Sequence, residues 1–172
     1  MNKLNKYLKV TVFLLLVVLG FSSCLKNNNE DPYAAYTPER EASLIKNWTD
    51  AMIKKKLNLD TTSTGIIYVP DTVKVGSGPT VKIGDSLTVK YTGMFLDGTV
   101  FDSSSSFKYV HKDKNPLKRL IQGWEEGIEI LRKGGSAAFL IPSAKAYGAD
   151  GRIPSIPPYS PLIFIIEVVD IK

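Results

Sequence analysis

The 172-residue chain contains one cysteine and one histidine. A single cysteine excludes an intramolecular disulfide, and one cysteine with one histidine cannot supply the spaced ligands of a zinc site. Nucleophilic catalysis of the Ser–His or Cys–His kind would have to run through His111, the lone imidazole. His111 stands in the least patterned stretch, Phe107 to Arg119, which also holds Lys108, Lys112, Lys114, Lys118 and Pro116, and reads as an exposed loop residue. The run Ser103 to Ser106 reads as a flexible loop rather than a nucleophile. No metal or cofactor is expected. Excess charge is also scarce. Of the formal net charge of +5, Lys3, Lys6 and Lys9 supply three, which leaves +2 on everything after them. The only dense basic cluster beyond them is Lys54-Lys55-Lys56, so no nucleic-acid partner is expected.

Long apolar runs are limited to the N-terminus. Val10 to Phe21 is apolar apart from Thr11 and Gly20, and is short for a membrane span of about 20 residues. With three lysines before it and Ser22-Ser23 after it, the segment has the anatomy of an export signal. Cys24 follows directly. The arrangement resembles a bacterial lipobox, in which the thiol is acylated and becomes the mature N-terminus, although Phe21 stands where leucine is usual. An uncleaved anchor with a coincidental cysteine is the alternative. Residues 1–23 are therefore expected to be a lipoprotein signal peptide, and Cys24 the lipidation site. The expected location is outside the cytoplasm, lipid-anchored to a bacterial membrane at the outer membrane or the periplasmic face.

The hydrophobic content of 44% suffices for one ordinary domain with extensions. Residues 24–36 are polar and aperiodic and read as a tether. Residues 37–60 read as a helical extension. Thr37-Pro38 is an N-cap followed by proline at the first helical position. Ile45, Trp48 and Met52 then recur at helical spacing and predict a helix to about Leu57. Its apolar face needs a cover, either the main domain or a second copy in a homodimer. A polar break, Asn58 to Thr64, precedes a main domain over residues 61–172.

Within that domain, Gly65 to Val69 is a short β-type run, ended by Pro70. Leu87, Val89 and Tyr91 alternate with polar residues as in a half-buried strand, and Asp97-Gly98 signals a hairpin into Val100-Phe101. Trp124, Ile128 and Leu131 share one helix face, with Glu125-Glu126 in the first turn, Arg132-Lys133 in the last, and Gly134-Gly135 as the stop. Ser136 to Ile141 reads as a strand, Tyr147 to Tyr159 as a proline-rich loop, and Leu162 to Val169 as a central strand. The expected fold class is α+β: an antiparallel sheet with one short helix on its face, preceded by the N-terminal helix. Tyr91, Phe101, Trp124, Tyr147 and Phe164 could converge on a small aromatic pocket; the simpler reading of Trp124 alone is core packing.

Tyr91-Thr92-Gly93-Met94, Asp97-Gly98, Phe101-Asp102-Ser103-Ser104, Gly123-Trp124-Glu125-Glu126-Gly127, Ala146-Tyr147-Gly148-Ala149 and Ile156-Pro157-Pro158 occur in an order that resembles the FKBP family of peptidyl-prolyl cis-trans isomerases. The resemblance runs from about Gly65 to Lys172 and implies a curved antiparallel sheet wrapped around one short helix. It implies Trp124 as the floor under a substrate prolyl ring. Tyr91, Phe101 and Phe164 would be aromatic walls, joined by Leu120, Ile121 and Ile156. Tyr147 would donate its hydroxyl to a substrate carbonyl, and Asp102 would be a carboxylate at the buried edge of the site. The flap aromatic falls on Phe107, with Tyr109 as the competing choice. Arg152 and Ser155 depart from the family's common histidine and aliphatic residue at the pocket rim, and bear on substrate preference. The implied partners are proline-containing unfolded or partly folded polypeptides. A proline-binding chaperone module with little turnover is the second reading.

Overall fold

The computed structural model describes residues 31–172. The export segment and Cys24 lie outside the described residues.

Helix α1 spans Pro38–Lys54, and the hydroxyl of Thr37 accepts the amide of Arg40 at 3.2 Å, as the Thr-Pro pair predicts. The helix stops short of the expected Leu57, and none of its residues is fully buried. Six strands follow: β1 (Asp60–Thr61), β2 (Ile67–Tyr68), β3 (Ser86–Phe95), β4 (Val100–Val110), β5 (Ser136–Ile141) and β6 (Leu162–Ile171). They form one antiparallel sheet in the order β1-β2-β5-β6-β3-β4. Helix α2 (Gln122–Ile128) packs on the face of the sheet that carries the buried side chains.

The sheet alternates as a one-sided sheet should. On β6, Leu162, Phe164, Ile166 and Val168 are buried, while Ile165 and Val169 face outward. The apolar character of β6 thus reflects a central position in the sheet, not burial of both faces. Asp97-Gly98 makes the expected turn: the Gly98 amide reaches the Phe95 carbonyl at 3.0 Å, and Gly98 takes the left-handed φ of +90° that the turn needs.

Four local expectations change. The supposed break at Asn58–Thr64 contains β1, a two-residue strand whose partner is β2 and which periodicity cannot reveal. Ser103 to Ser106 lie within β4, because pairing with β3 from Gly93↔Asp102 to Ser86↔Val110 carries the strand through them, with a register shift at Ser105-Ser106 between the pairs Tyr91↔Ser104 and Val89↔Phe107. His111 is completely buried, because that ladder continues: the His111 amide meets the Asp85 carbonyl at 2.9 Å, and its Nε2 lies 3.1 Å from Glu129 Oε1. Helix α2 ends at Ile128, so Arg132 and Lys133 do not complement its dipole. Their amides turn instead to the carbonyls of Val75 and Pro79.

Seven residues cannot hold a helix alone, so α2 depends on its seat. The buried Glu125 folds back to accept the Leu120 amide at 3.3 Å, which closes the N-terminal end in the manner of a capping box. Gly123 and Gly127 lie directly over β5. A Cβ on Gly123 would run into the Ile141 side chain, and one on Gly127 would stand 3.2 Å from the Phe139 ring. Glycine therefore sets how close the helix approaches the sheet. On propensity alone Gly123→Ala should stabilise the helix by roughly 0.5–1 kcal/mol. Overpacking against Ile141 should reverse the sign and leave the domain less stable by roughly 1–2 kcal/mol, as read from chemical denaturation. A more stable variant would show that α2 is not seated on β5 in this way.

Candidate active site

The site grows from one ring. Trp124 enters the core on the first turn of α2 and keeps only 3% of its surface exposed. Strands β3, β4 and β6, neighbours in the sheet, send aromatic side chains to it. The ring centroids of Tyr91 and Phe164 lie 5.0 and 5.2 Å from that of Trp124, both edge-to-face at 86° and 82°. Phe101 reaches Phe164 at 5.6 Å, again edge-to-face, and Phe107 reaches Tyr91 at 5.7 Å. Tyr91, Phe101, Phe107, Trp124 and Phe164 thus form one connected set of rings.

Both flap candidates are present, in different places. Phe107 contacts Tyr91 and Trp124, the latter at 6.5 Å. Tyr109, two residues along the same strand face, stacks on Phe107 at 5.6 Å and 16°. Its hydroxyl accepts the Trp124 Nε1–H at 3.0 Å. An indole N–H buried without a partner would be costly, and Tyr109 removes that cost while fixing the tilt of the floor. Burial drives the Tyr109 phenol pKa far upward, so it stays neutral.

Gly93 is also part of the construction. A Cβ there would fall 2.7 Å from Phe164 and 2.8 Å from Phe101, so the two rings meet over a residue that must lack a side chain. The glycine and Tyr109 roles lay outside the sequence reading. The Tyr109 role was recoverable from the two-residue spacing to Phe107 and the need of any buried tryptophan for an acceptor.

The polar rim is small. The Tyr91 hydroxyl donates to Asp102 Oδ2 at 2.8 Å. Asp102 is exposed rather than placed at a buried edge as expected: it pairs opposite Gly93 on β4, the outermost strand of the sheet. Tyr91 is pushed up to about 12, chiefly by burial and then by its bond to the Asp102 carboxylate, so it remains a donor at neutral pH. Leu120, Ile121 and Tyr147 are half-buried against the same core, and Ile156 is buried at 1% exposure. Ile156 is held by the proline loop, where the Arg152 amide meets the Ile156 carbonyl at 2.7 Å. Tyr147 follows a short 3-10 turn, Ser143–Lys145, and its hydroxyl forms no hydrogen bond among the described residues. Arg152 and Ser155 are both exposed on that loop. The arrangement is a dry aromatic surface with a few hydroxyl and amide groups at its edge. It suits an apolar ring with a carbonyl on either side.

The family model of the FKBP-type peptidyl-prolyl cis-trans isomerase matches residues 78–169. A probable FKBP-type peptidyl-prolyl cis-trans isomerase of Haemophilus influenzae is 38% identical over 122 residues, which are 71% of this chain and 49% of that protein. FkpA of Escherichia coli K12, named as an FKBP-type peptidyl-prolyl cis-trans isomerase, is 36% identical over 133 residues, 74% of this chain and 45% of that protein. This chain thus spans about half the length of these curated relatives. Among solved structures, the crystal structure of FkpA from Escherichia coli superposes with a TM-score of 0.65 at 27% identity, covering 100% of this chain and 74% of that one. The crystal structure of AtFKBP13 gives a TM-score of 0.56 at 27% identity, covering 66% of this chain and 98% of that one. With a family model matched over more than half its length and a sheet that wraps one short helix bearing Trp124, the chain belongs to the FKBP-type peptidyl-prolyl cis-trans isomerase family.

Proposed function

We propose that this protein is a peptidyl-prolyl cis-trans isomerase that accelerates rotation about X–Pro bonds in exported polypeptides. The observation that carries the reading is the set of aromatic rings gathered around the buried Trp124. Rotation about a peptide bond breaks no covalent bond, but it meets a barrier of about 18–20 kcal/mol from C–N double-bond character. In the twisted state the amide loses resonance and its carbonyl becomes less polar. An apolar surface therefore favours the twisted amide over the planar one, which depends more on solvation. Each tenfold in rate requires about 1.4 kcal/mol of that preference. Trp124 would carry the prolyl ring, with Phe101, Phe107, Phe164 and Ile156 around it and Leu120 and Ile121 at its mouth. The Tyr147 hydroxyl would hold a substrate carbonyl. Tyr91 and Asp102 would form the polar rim beside the rotating bond.

The proposed substrates are proline-containing unfolded or partly folded chains. The proposed location is outside the cytoplasm, with the chain tethered to a membrane by a lipid on Cys24. Support for the anchor is the order of basic residues, apolar run, small residues and cysteine in the sequence. A homodimer through α1 accords with the partly exposed apolar side chains of that helix, Ile53 among them at 60% exposure.

Three outcomes test these assignments. In a proline-limited refolding assay the wild-type protein should exceed the uncatalysed rate. Tyr147→Phe should lower kcat/KM by about two- to twelvefold, the worth of one net hydrogen bond, with an unchanged Tm. Asp102→Asn should lower kcat more than it weakens binding of a proline peptide. A wild-type protein that binds such a peptide without accelerating refolding would leave a chaperone module in place of the enzyme.

The second outcome concerns pH. Turnover should be flat between about pH 6 and 9, since Tyr91 keeps its proton there. The unfolded tyrosine ionises near 10 and the folded one near 12. Stability from this group is therefore complete below pH 10 and is lost as pH rises towards 12. Tyr91→Phe should make the alkaline decline in Tm shallower; an equally steep decline would contradict the shifted phenol.

Third, mass spectrometry of the membrane fraction should find a diacyl or triacyl group on Cys24. A Cys24→Ser protein that stays equally membrane-bound would indicate a plain signal anchor.

A further inference from the structure

Helix α1 makes its most specific contact not through its apolar stripe but through an acid. Glu41, in the first turn, reaches across to the turn that precedes Tyr147. One carboxylate oxygen accepts the Ser143 amide at 2.6 Å and the other accepts the Ser143 hydroxyl at 2.5 Å. Ser143 is buried at 3% exposure, so this is a shielded, two-point bond rather than a surface pairing. The Ser143 carbonyl in turn accepts the amides of Ala146 and Gly148, each at 2.8 Å. Those two residues flank Tyr147. The same turn is also tied to the helix that carries Trp124, where Glu126 Oε1 lies 3.3 Å from Lys145 Nζ.

We propose that Glu41 is a positioning residue for Tyr147: by clamping both donors of Ser143 it sets the turn whose carbonyl holds the backbone on either side of the tyrosine. The proposal rests on the isomerase reading, and it gives α1 a part in turnover. Helix dipole stabilisation does not account for the contact, because Glu39 already provides an acid in the first turn, whereas the Glu41 carboxylate is engaged on Ser143. The isomerase domain would accordingly be incomplete if cut after α1. Residues 61–172 would keep every ring of the site but lose the clamp on its hydroxyl donor.

The test is a double-mutant cycle in the full chain. Glu41→Ala should lower kcat/KM by about two- to twelvefold, the range set for the Tyr147 hydroxyl itself. In a Tyr147→Phe background the same substitution should change kcat/KM by less than about twofold, because the hydroxyl it positions is already gone. Glu41→Gln should restore most of the activity: its amide oxygen can accept the Ser143 amide while its NH2 donates to the hydroxyl. Losses that multiply in the double mutant would overturn the proposal and make Glu41 a general structural contact. If Glu41→Ala does not fold, Ser143→Ala replaces it in the cycle, with the same expectations. A readout independent of turnover separates this proposal from the isomerase reading. In protein labelled with 3-fluorotyrosine, the Tyr147 resonance, assigned by its loss in Tyr147→Phe, should move in Glu41→Ala and return in Glu41→Gln. A moved resonance in a protein that does not accelerate refolding would sink the isomerase reading and keep the positioning. An unmoved resonance would sink the positioning alone.

Discussion

The hydrogen bond from the Trp124 indole to the Tyr109 hydroxyl, 3.0 Å long and inside the core, is the constraint from which the site follows. A tryptophan whose N–H is satisfied on one side can present the rest of its ring as a dry surface. Tyr109 supplies that partner from β4, and in doing so joins the short helix to a strand at the edge of the sheet. Phe107 then stacks on Tyr109, and Tyr91 and Phe164 close on the indole edge-to-face. Each ring is placed by the one before it. Removing the indole would take the floor and the anchor together. A large-to-small change of this kind in a core costs roughly 3–5 kcal/mol, so Trp124→Ala tests stability as much as chemistry.

The helix can bring Trp124 to this position only because glycine lets it sink. Gly123 and Gly127 face Ile141 and Phe139 without a side chain between, and Gly93 leaves the space in which Phe101 and Phe164 meet. Large residues do the visible work and absent side chains make their approach possible. By contrast, the exposed ion pairs Lys90–Glu167 and Lys46–Asp50 lie in solvent and contribute little to holding the fold. Two contacts of a different kind tie outlying parts to the centre. Glu41 joins α1 to the Ser143 turn, and the buried His111 meets Glu129 just past the end of α2, where Lys112 joins the same carboxylate at 2.7 Å.

Several elements were legible because their signals are local. The Thr37-Pro38 cap, the Asp97-Gly98 turn, the alternation of Leu87, Val89 and Tyr91, and the helical spacing of Trp124 and Ile128 each depend on a few adjacent residues. Of the aromatic residues singled out for the pocket, Tyr91, Phe101, Trp124 and Phe164 join in one set of ring contacts, whereas Tyr147 packs against the same core without a ring contact to them. What was missed depended on pairing at a distance. Strand β1 is two residues long and exists only because β2 lies beside it. The serines of β4 read as a loop until β3 runs along them. His111 read as exposed because its neighbours are lysines, and the ladder with Asp85 turns it inward.

The sequence by itself determined the inventory: aromatic residues at strand spacing, one tryptophan on a glycine-flanked helix, no cysteine or histidine to spare for metal or nucleophile chemistry, and motifs in the order of a known family. These follow from composition, period and spacing, which are properties of neighbours along the chain. The tertiary structure decided which partner each polar group would find. It gave the Trp124 N–H to Tyr109, left Asp102 exposed within reach of the Tyr91 hydroxyl, and set Glu41 on a serine 102 residues away. A hydrogen bond needs an alignment good to a fraction of an ångström. Only the folded sheet, with α1 and α2 on it, holds residues so distant in sequence to that tolerance.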